Sequence, residues 1–345
     1  MSFRQNPTAL LVSGCLVVAA GCAKTPAPKP AAVTGRTMGT TYSVKIAGLP
    51  RSRRLADVKA EIEKLLETVN RQMSTWRTDS EISRFNAHGG AEWFPVSRDT
   101  VTNVAEAQRI GELSGGAFDV TVGPLVNLWS FGPQDRPKKA PLRAEIDAAR
   151  QRVGFAKLEV RSQPPALRKS RGDVSVDLSA IAKGFGVDRV ARYLDSLNVS
   201  GYMVEIGGEV RCRGTKVGGA GWQIGIQSPR KLKNAATRVV TLTDKAMATS
   251  GDYRNYFEAD GRRYSHTIDP RTGRPVRHAL ASVSVVHDFC MTADALATTI
   301  MVLGPEDGYN FARRHKLAVL MLVKRGGGFV EKMTPEFERL FGTKP

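Results

Sequence analysis

Chemistry is most concentrated between Met247 and Thr272, where MATSGDYRNYFEADGRRYSHTIDPRT combines hydroxyls, an imidazole and a guanidinium. His266 has an unperturbed pKa of ~6.5, so it can take a proton from an incoming hydroxyl nucleophile near neutral pH. The other histidines, His88, His278, His287 and His315, read as structural or surface groups. Arg271 could pair with a phosphate or brace its own Asp-Pro turn. Asp294 and Thr298 are four residues apart, which puts them on one face of a helix. A carboxylate and a hydroxyl so placed could hold a hard cation through oxygen. Asp294 also suits the favourable end of a helix dipole. Lys183 follows a strand-to-helix junction, where free N–H groups make an anion site. An anionic partner would rationalise its charge there; a surface lysine lying along its helix is the alternative. The amides of Gly115-Gly116 could meet a phosphate or an adenine edge. Trp76 occupies a loop, where a large ring covers a site or packs on its own domain.

The elements that must position these groups follow from periodicity. Gly251 is expected to open a turn after Thr249 and Ser250. Tyr253, Tyr256 and Phe257 form an outgoing strand, Asp260-Gly261 its hairpin turn, and Tyr264 and His266 one face of the return. Asp269-Pro270 stops it, leaving His266 at a strand end facing a site. Apolar spacing at Val58, Ile62, Leu65, Leu66 and Val69 predicts a helix from Leu55 to Met73. Ser80 or Asp79 caps a short helix through Phe85. Further helices are expected from Ser97 to Leu113, closed by Ser114-Gly115-Gly116, from Glu145 to Val153, from Leu178 through Leu197, from Thr292 to Val302 and from Pro335 to Phe341. Strands are expected over 37–46, 157–161, 173–177, 238–242, 281–286, 317–323 and 329–332, with 201–226 in short pieces punctuated by Gly207-Gly208 and Gly214. Residues 162–171 read as an exposed connector. The alternation suggests antiparallel sheet, hence an α+β class.

With 345 residues, 41% hydrophobic and 24% charged, the chain has ordinary globular proportions. Its formal net charge of +18 points to anionic company. No RNA-recognition signature, helix-turn-helix pattern or zinc-finger spacing accompanies it, so nucleic acid is not expected as a partner and a basic surface near anionic lipid is. Arg4, an apolar run from Ala9 to Ala20 too short to span a bilayer, and Ala19-Ala20-Gly21-Cys22 resemble a lipoprotein signal. Cys22 is preferred over Cys15 as the lipidated residue because Val12-Ser13-Gly14-Cys15 leaves too little apolar run ahead of it. Acyl chains there would anchor firmly, at ~0.8 kcal/mol per buried methylene. Residues 24–30, KTPAPKP, read as a Pro-rich tether. The expected organisation is a signal peptide over 1–21, a lipidated cysteine and tether over 22–33, and one domain over 34–345. Cys212 and Cys290 are expected as buried free thiols, although an oxidising compartment would let them pair.

In their order, MGTTYSV, MSTWRTDSEISRFN, GAFDVTVGPLVNLWSFGP, VDLSAIAKGFGVD, EIGGEV, ATSGDYRNYF, SHTIDPRTGRPV and ADALATT resemble the FAD:protein FMN transferase family, the ApbE-type flavin transferases. The resemblance runs from about Thr37 to Gly304. It implies a T-fold-like α+β architecture of mostly antiparallel sheet with packed helices, which binds FAD and Mg2+. It further implies transfer of the FMN moiety of FAD to a threonine hydroxyl of a partner flavoprotein, with AMP leaving. Met38, Trp76, Ala117, Phe118, Asp119, Asp177, Lys183 and Ile268 match flavin-site positions. Ala180, through its carbonyl, with Asp294 and Thr298, matches the magnesium site, and His266 is the catalytic candidate. The implied partners are acceptor flavoprotein subunits of membrane redox complexes. The implied location is the inner membrane facing the periplasm, with the outer membrane left open. Splitting a pyrophosphate spreads negative charge over phosphate oxygens, which a divalent cation can neutralise. Two other readings stay open, a FAD pyrophosphatase releasing FMN and AMP, and a non-catalytic FAD-binding lipoprotein. The anchor has its own test. Cys22→Ser should leave an exported protein without acyl label, and Cys15→Ser should keep the label; loss in Cys15→Ser alone would move the anchor to Cys15.

Overall fold

The computed structural model describes residues 1–2, 30–227, 236–252 and 255–342. Cys15, Cys22, Tyr253 and most of the expected tether lie outside the described residues. Eight antiparallel strands form the central sheet: β1 (Ala31–Thr37), β2 (Thr40–Ala47), β3 (Gly201–Ile206), β4 (Glu209–Arg213), β5 (Ala246–Gly251), β6 (Leu280–His287), β7 (Ala318–Arg325) and β8 (Gly328–Met333). Their order across the sheet follows the chain. The architecture is thus α+β with antiparallel sheet, and the other elements are insertions between neighbouring strands, apart from a helix that follows β8.

Period-two alternation gives the sheet two apolar faces. Tyr42, Val44, Ile46, Tyr202, Val204 and Ile206 pack on Val58, Ile62 and Leu66 of α1 (Leu55–Met73) and on Val187, Val190 and Leu194 of α6 (Ala182–Ser196). Met203, Val210, Cys212, Met247, Val286 and Leu320 face the other way. They meet Trp222, Ile224, Val240 and Leu242 of the hairpin Trp222–Gln227 and Ala236–Leu242, together with Phe337 of α8 (Pro335–Phe341). The long insertion between β2 and β3 also carries α2 (Glu81–Ala87), α3 (Arg98–Leu113), α4 (Gly123–Leu128) and α5 (Arg143–Arg150). Ser80 and Ser97 cap α2 and α3, accepting from the amides of Ser83 at 3.0 Å and Thr100 at 3.2 Å.

Four local expectations are corrected. The sheet starts at Ala31 rather than near Thr34, and the strand expected over 37–46 is a hairpin return that turns at Met38 (φ +49°) and Gly39 (φ +70°). Gly251 opens no turn: Thr249, Ser250 and Gly251 pair with Ser284, Val283 and Ser282, so β5 runs through them. Residues 162–171 are not an exposed connector. Pro165–Lys169 is the middle strand of a three-stranded sheet with Phe94–Pro95 and Leu158–Ser162, and Ala166, Leu167 and Lys169 are buried. Residues 173–177 join no ladder. Instead the Asn86 amide donates to the Val176 carbonyl and accepts from its N–H, both at 2.8 Å, while Lys169 Nζ donates to the Val174 carbonyl at 3.2 Å.

The last helix of the site, α7 (Cys290–Arg314), is broken at Gly304 (φ +83°) and restarted by Pro305. It crosses α6 so closely that a Cβ on Gly184 would lie 2.4 Å from the Cys290 carbonyl oxygen. Asp188 of α6 accepts from the amides of Cys290 (3.1 Å) and Met291 (3.0 Å), capping α7 from a neighbouring helix, and pairs with Arg211 of β4 at 2.6 Å. Cys212 and Cys290 are buried free thiols, as expected. Among the described residues no helix is long and apolar enough to cross a membrane. Gly184→Ala should lower stability by about 1–3 kcal/mol, the usual cost of overpacking, read as a lower urea midpoint; an unchanged midpoint would mean that the helices part freely.

Candidate functional site

A cavity of about 930 Å³ opens where the long insertion, the excursion between β5 and β6, and α7 meet. This is at the upper end of the range for small-molecule sites, roughly 300–1,000 Å³. Met38, Trp76, Ala117, Phe118, Asp119, Asp177, Ala180, Lys183, His266, Ile268, Asp294 and Thr298 all line it. Residues spread over most of the chain therefore share one space.

One wall is made of oxygens and follows from the α6–α7 crossing. Gly184 stands in the first turn of α6, where an amide has no partner within its own helix. It donates to Asp294 Oδ2 at 3.0 Å, because Asp294 reaches across from α7. Ala180, just ahead of the helix, lines the same cavity. Thr298, one turn further along α7, lies with its Oγ1 3.2 Å from Ser250 Oγ on β5. No group of three or more His, Cys, Asp or Glu side chains is arranged to hold a metal among the described residues. The donors are carboxylate, hydroxyl and carbonyl, the set that a hard cation such as Mg2+ takes.

Lys183 Nζ sits 2.8 Å from Glu209 Oε1, and Glu209 is 2% exposed. Burial works against the Lys183 ammonium, but Asp294 and Glu209 outweigh it and hold its pKa above the ordinary lysine value. Burial raises Asp294 against the pull of Lys183 and the Gly184 amide. Burial likewise pushes Glu209 up to about 7, with Lys183 opposing and Asp294 adding to the shift. Lys183 is therefore neither a free surface lysine nor a lone anion hook.

The rest of the cavity presents rings and backbone. Phe118 and Ala117 are buried at the end of α3, and Asp119 Oδ1 accepts from the Thr121 amide and hydroxyl at 2.7 and 2.6 Å. Burial raises the Asp119 pKa despite those bonds. Asp177 accepts from the Ser179 amide at 2.9 Å and its own amide donates to the Val120 carbonyl at 2.7 Å, tying the two segments together. Trp76 stands at the rim, 67% exposed. Met38 reaches over Gly186 of α6, where a Cβ would meet its Cε at 2.8 Å.

His266 follows a hairpin of Tyr256–Ala259 and Arg262–Ser265 that turns on Asp260 and Gly261, both at positive φ. Phe257, Tyr264 and Ile268 pack with Trp129 and Ile146, so the α4–α5 layer fixes where His266 stands. Its Nδ1 lies 3.0 Å from the Asn255 carbonyl, which assigns the proton to Nδ1 and leaves the Nε2 lone pair free. Arg271 makes two 2.9 Å bonds to Asp269 and so braces its own turn. The Gly115 and Gly116 amides donate to Glu112 and Gly111 carbonyls and close α3, which removes them as phosphate donors.

Two groups escaped the sequence reading. Glu209 stood inside the EIGGEV motif; the only local signal was an acidic residue opening a strand after a glycine pair. Asp188 closed the VDLSAIAKGFGVD motif, but nothing local marked it as a helix cap, because its partners Cys290 and Met291 are about a hundred residues away.

The sequence model described as the ApbE family matches residues 38–321. The chain belongs to the ApbE family. It is 48% identical to the FAD:protein FMN transferase of Vibrio cholerae over 329 residues, covering 95% of this chain and 97% of that one. It is 43% identical to the FAD:protein FMN transferase of Haemophilus influenzae, covering 97% and 99%. The solved structure of the flavin transferase ApbE from Vibrio cholerae superposes with a TM-score of 0.84 at 46% identity, over 92% of this chain and all of that one. The ApbE match spans both the oxygen wall and His266.

Burial is the main cause that lowers the His266 pKa below its ordinary value, with Lys183 adding to it. Unfolded His266 therefore binds a proton below pH ~6.5 that the folded protein declines. This part of the stability is complete above pH 6.5 and is lost as pH falls toward the folded pKa. NMR should show the His266 ring titrating below 6.5, and His266→Gln should flatten the loss of urea stability between pH 7.5 and 5; a midpoint above 6.5 would contradict the burial argument.

Proposed function

We propose that this chain is an FAD:protein FMN transferase that moves the FMN moiety of FAD onto a threonine hydroxyl of a partner flavoprotein and releases AMP. The observation that carries this reading is the Asp294–Gly184 contact, which places a carboxylate together with the Lys183 ammonium on the wall of a cavity that Ala180, Thr298 and His266 also line. Mg2+, when bound, would be held by Asp294, Thr298 and the Ala180 carbonyl and would neutralise charge on the phosphate oxygens.

Residues of the chain supply the rest. Lys183, held by Glu209, presents a fixed positive charge to the pyrophosphate. Met38, Phe118 and Ile268 offer apolar surface, and Trp76 a stacking face at the mouth. The threonine oxygen attacks the phosphorus on the FMN side, the bridging P–O bond breaks, and AMP carries away the bridging oxygen. The proton of the threonine passes to Nε2 of His266, which is free because Nδ1 is committed to Asn255. Exposure of the Trp76 rim fits an acceptor that is itself a protein, such as a flavoprotein subunit of a membrane redox complex. A Cys22 anchor at the inner membrane, facing the periplasm, would put the cavity beside such acceptors.

Incubation of the full chain with FAD, Mg2+ and a threonine-bearing acceptor, followed by intact mass, tests the reading. The acceptor should gain FMN as AMP appears; AMP with free FMN and an unmodified acceptor would favour a pyrophosphatase. Asp294→Ala should lose the response to Mg2+. His266→Ala should keep FAD affinity and lose single-turnover transfer by roughly 10²–10⁴-fold, the usual share of general acid–base catalysis; transfer at the parental rate would make His266 structural.

A further inference from the structure

Glu209 is more deeply buried than an anchor for Lys183 needs to be, and only half of its carboxylate is used. Oε1 takes the Lys183 ammonium at 2.8 Å. Oε2 is buried without a hydrogen-bond partner, although Glu209 lines the cavity. The backbone bears on the carboxylate only through Glu209's own amide. Glu209 opens β4 paired with Ile206, and the nearby Gly208 amide is committed to Glu205 Oε1 at 2.8 Å. Gly207 (φ +63°) lies close against Thr40, whose Cγ2 would stand 2.8 Å from a Cβ there, and Lys183 passes it at ordinary contact distance.

The ammonium of Lys183 is acted on by two carboxylates, Glu209 and Asp294. The Glu209 oxygen facing this cavity is a buried acceptor left unmade, which is costly.

We infer that Glu209 is a positioning residue of the cation site, its Oε1 holding Lys183 and its free Oε2 accepting from the hydration shell of the divalent cation. The inference rests on the cation site proposed above. Lys183 then has two opposed effects: it favours the phosphates of the substrate and opposes the cation, and Glu209 offsets the second. Outer groups of this kind usually contribute 10–100-fold to metal affinity.

Binding of Mn2+ to the FAD-loaded full chain, read from the free-ion EPR signal, separates the possibilities, with bound flavin measured independently by fluorescence. Asp294→Ala should abolish tight Mn2+ binding. Glu209→Gln, which keeps the shape and the Lys183 contact, should weaken Mn2+ binding by about 10–100-fold. Lys183→Met should tighten it. A Glu209 that merely anchors Lys183 predicts that both variants move Mn2+ affinity in the same direction, so parallel shifts, or parental Mn2+ affinity in Glu209→Gln, overturn the inference while leaving the Asp294 site standing. Parental affinity in Asp294→Ala would remove the cation site and this inference together. Should Glu209→Gln fail to fold, the Glu209→Gln/Lys183→Met double variant read against Lys183→Met decides: weaker Mn2+ binding in the double variant supports the role of Glu209 and equal binding refutes it.

Discussion

The close crossing of α6 and α7 at Gly184 is the constraint on which the site depends. Without a side chain there, the first turn of α6 lies against the first turn of α7, and two aspartates fasten the contact from opposite sides. Asp188 points from α6 to the amides that open α7, and Asp294 points from α7 to an amide in the first turn of α6. Each satisfies N–H groups that a helix cannot satisfy within itself. The same crossing brings Asp294 to the cavity that Ala180 and Thr298 also line.

The electrostatics of the corner follow from that geometry. Burial penalises every charge in it, and each charge persists because another is near. Lys183 stays protonated between Glu209 and Asp294, and Glu209 is held close to neutrality's edge, at about 7, by the loss of water around it. A polyanionic ligand and a divalent cation would enter a site whose charges are already arranged, so that little reorganisation accompanies the reaction. His266 is kept apart from this balance. It belongs to a hairpin seated on α4 and α5, and its tautomer is set by a backbone carbonyl rather than by a carboxylate.

Much of the fold was legible where local periodicity coincided with burial. The helix from Leu55 to Met73, the Ser97 cap, the Asp260-Gly261 hairpin and the last two strands stand where apolar spacing and turn chemistry put them, because those signals are local. Expectations failed where a neighbour overrode local preference. Gly251 looked like a turn but is held straight by the ladder with Ser282. Residues 165–169, bounded by proline and rich in basic side chains, looked exposed, yet Lys169 is fully buried against backbone carbonyls. Val174 and Val176 alternate as a strand would, but Asn86 stands in for the neighbouring strand.

The sequence by itself determined the class of the fold, the family and the chemical types of the site: an imidazole at the end of a hairpin, a carboxylate and a hydroxyl on one helical face, a lysine at a helix start. These are legible because they depend on residues within a few positions of one another. Only the tertiary structure decided how those groups act. Arg271 turned to its own Asp269, the Gly115-Gly116 amides turned back into α3, Asp294 capped the first turn of α6, and Glu209 became the partner of Lys183. The reason is physical. A side chain's hydrogen-bond partner and degree of burial depend on what the folded chain brings beside it, and for Asp294, Asp188 and Glu209 those neighbours lie far away in the sequence.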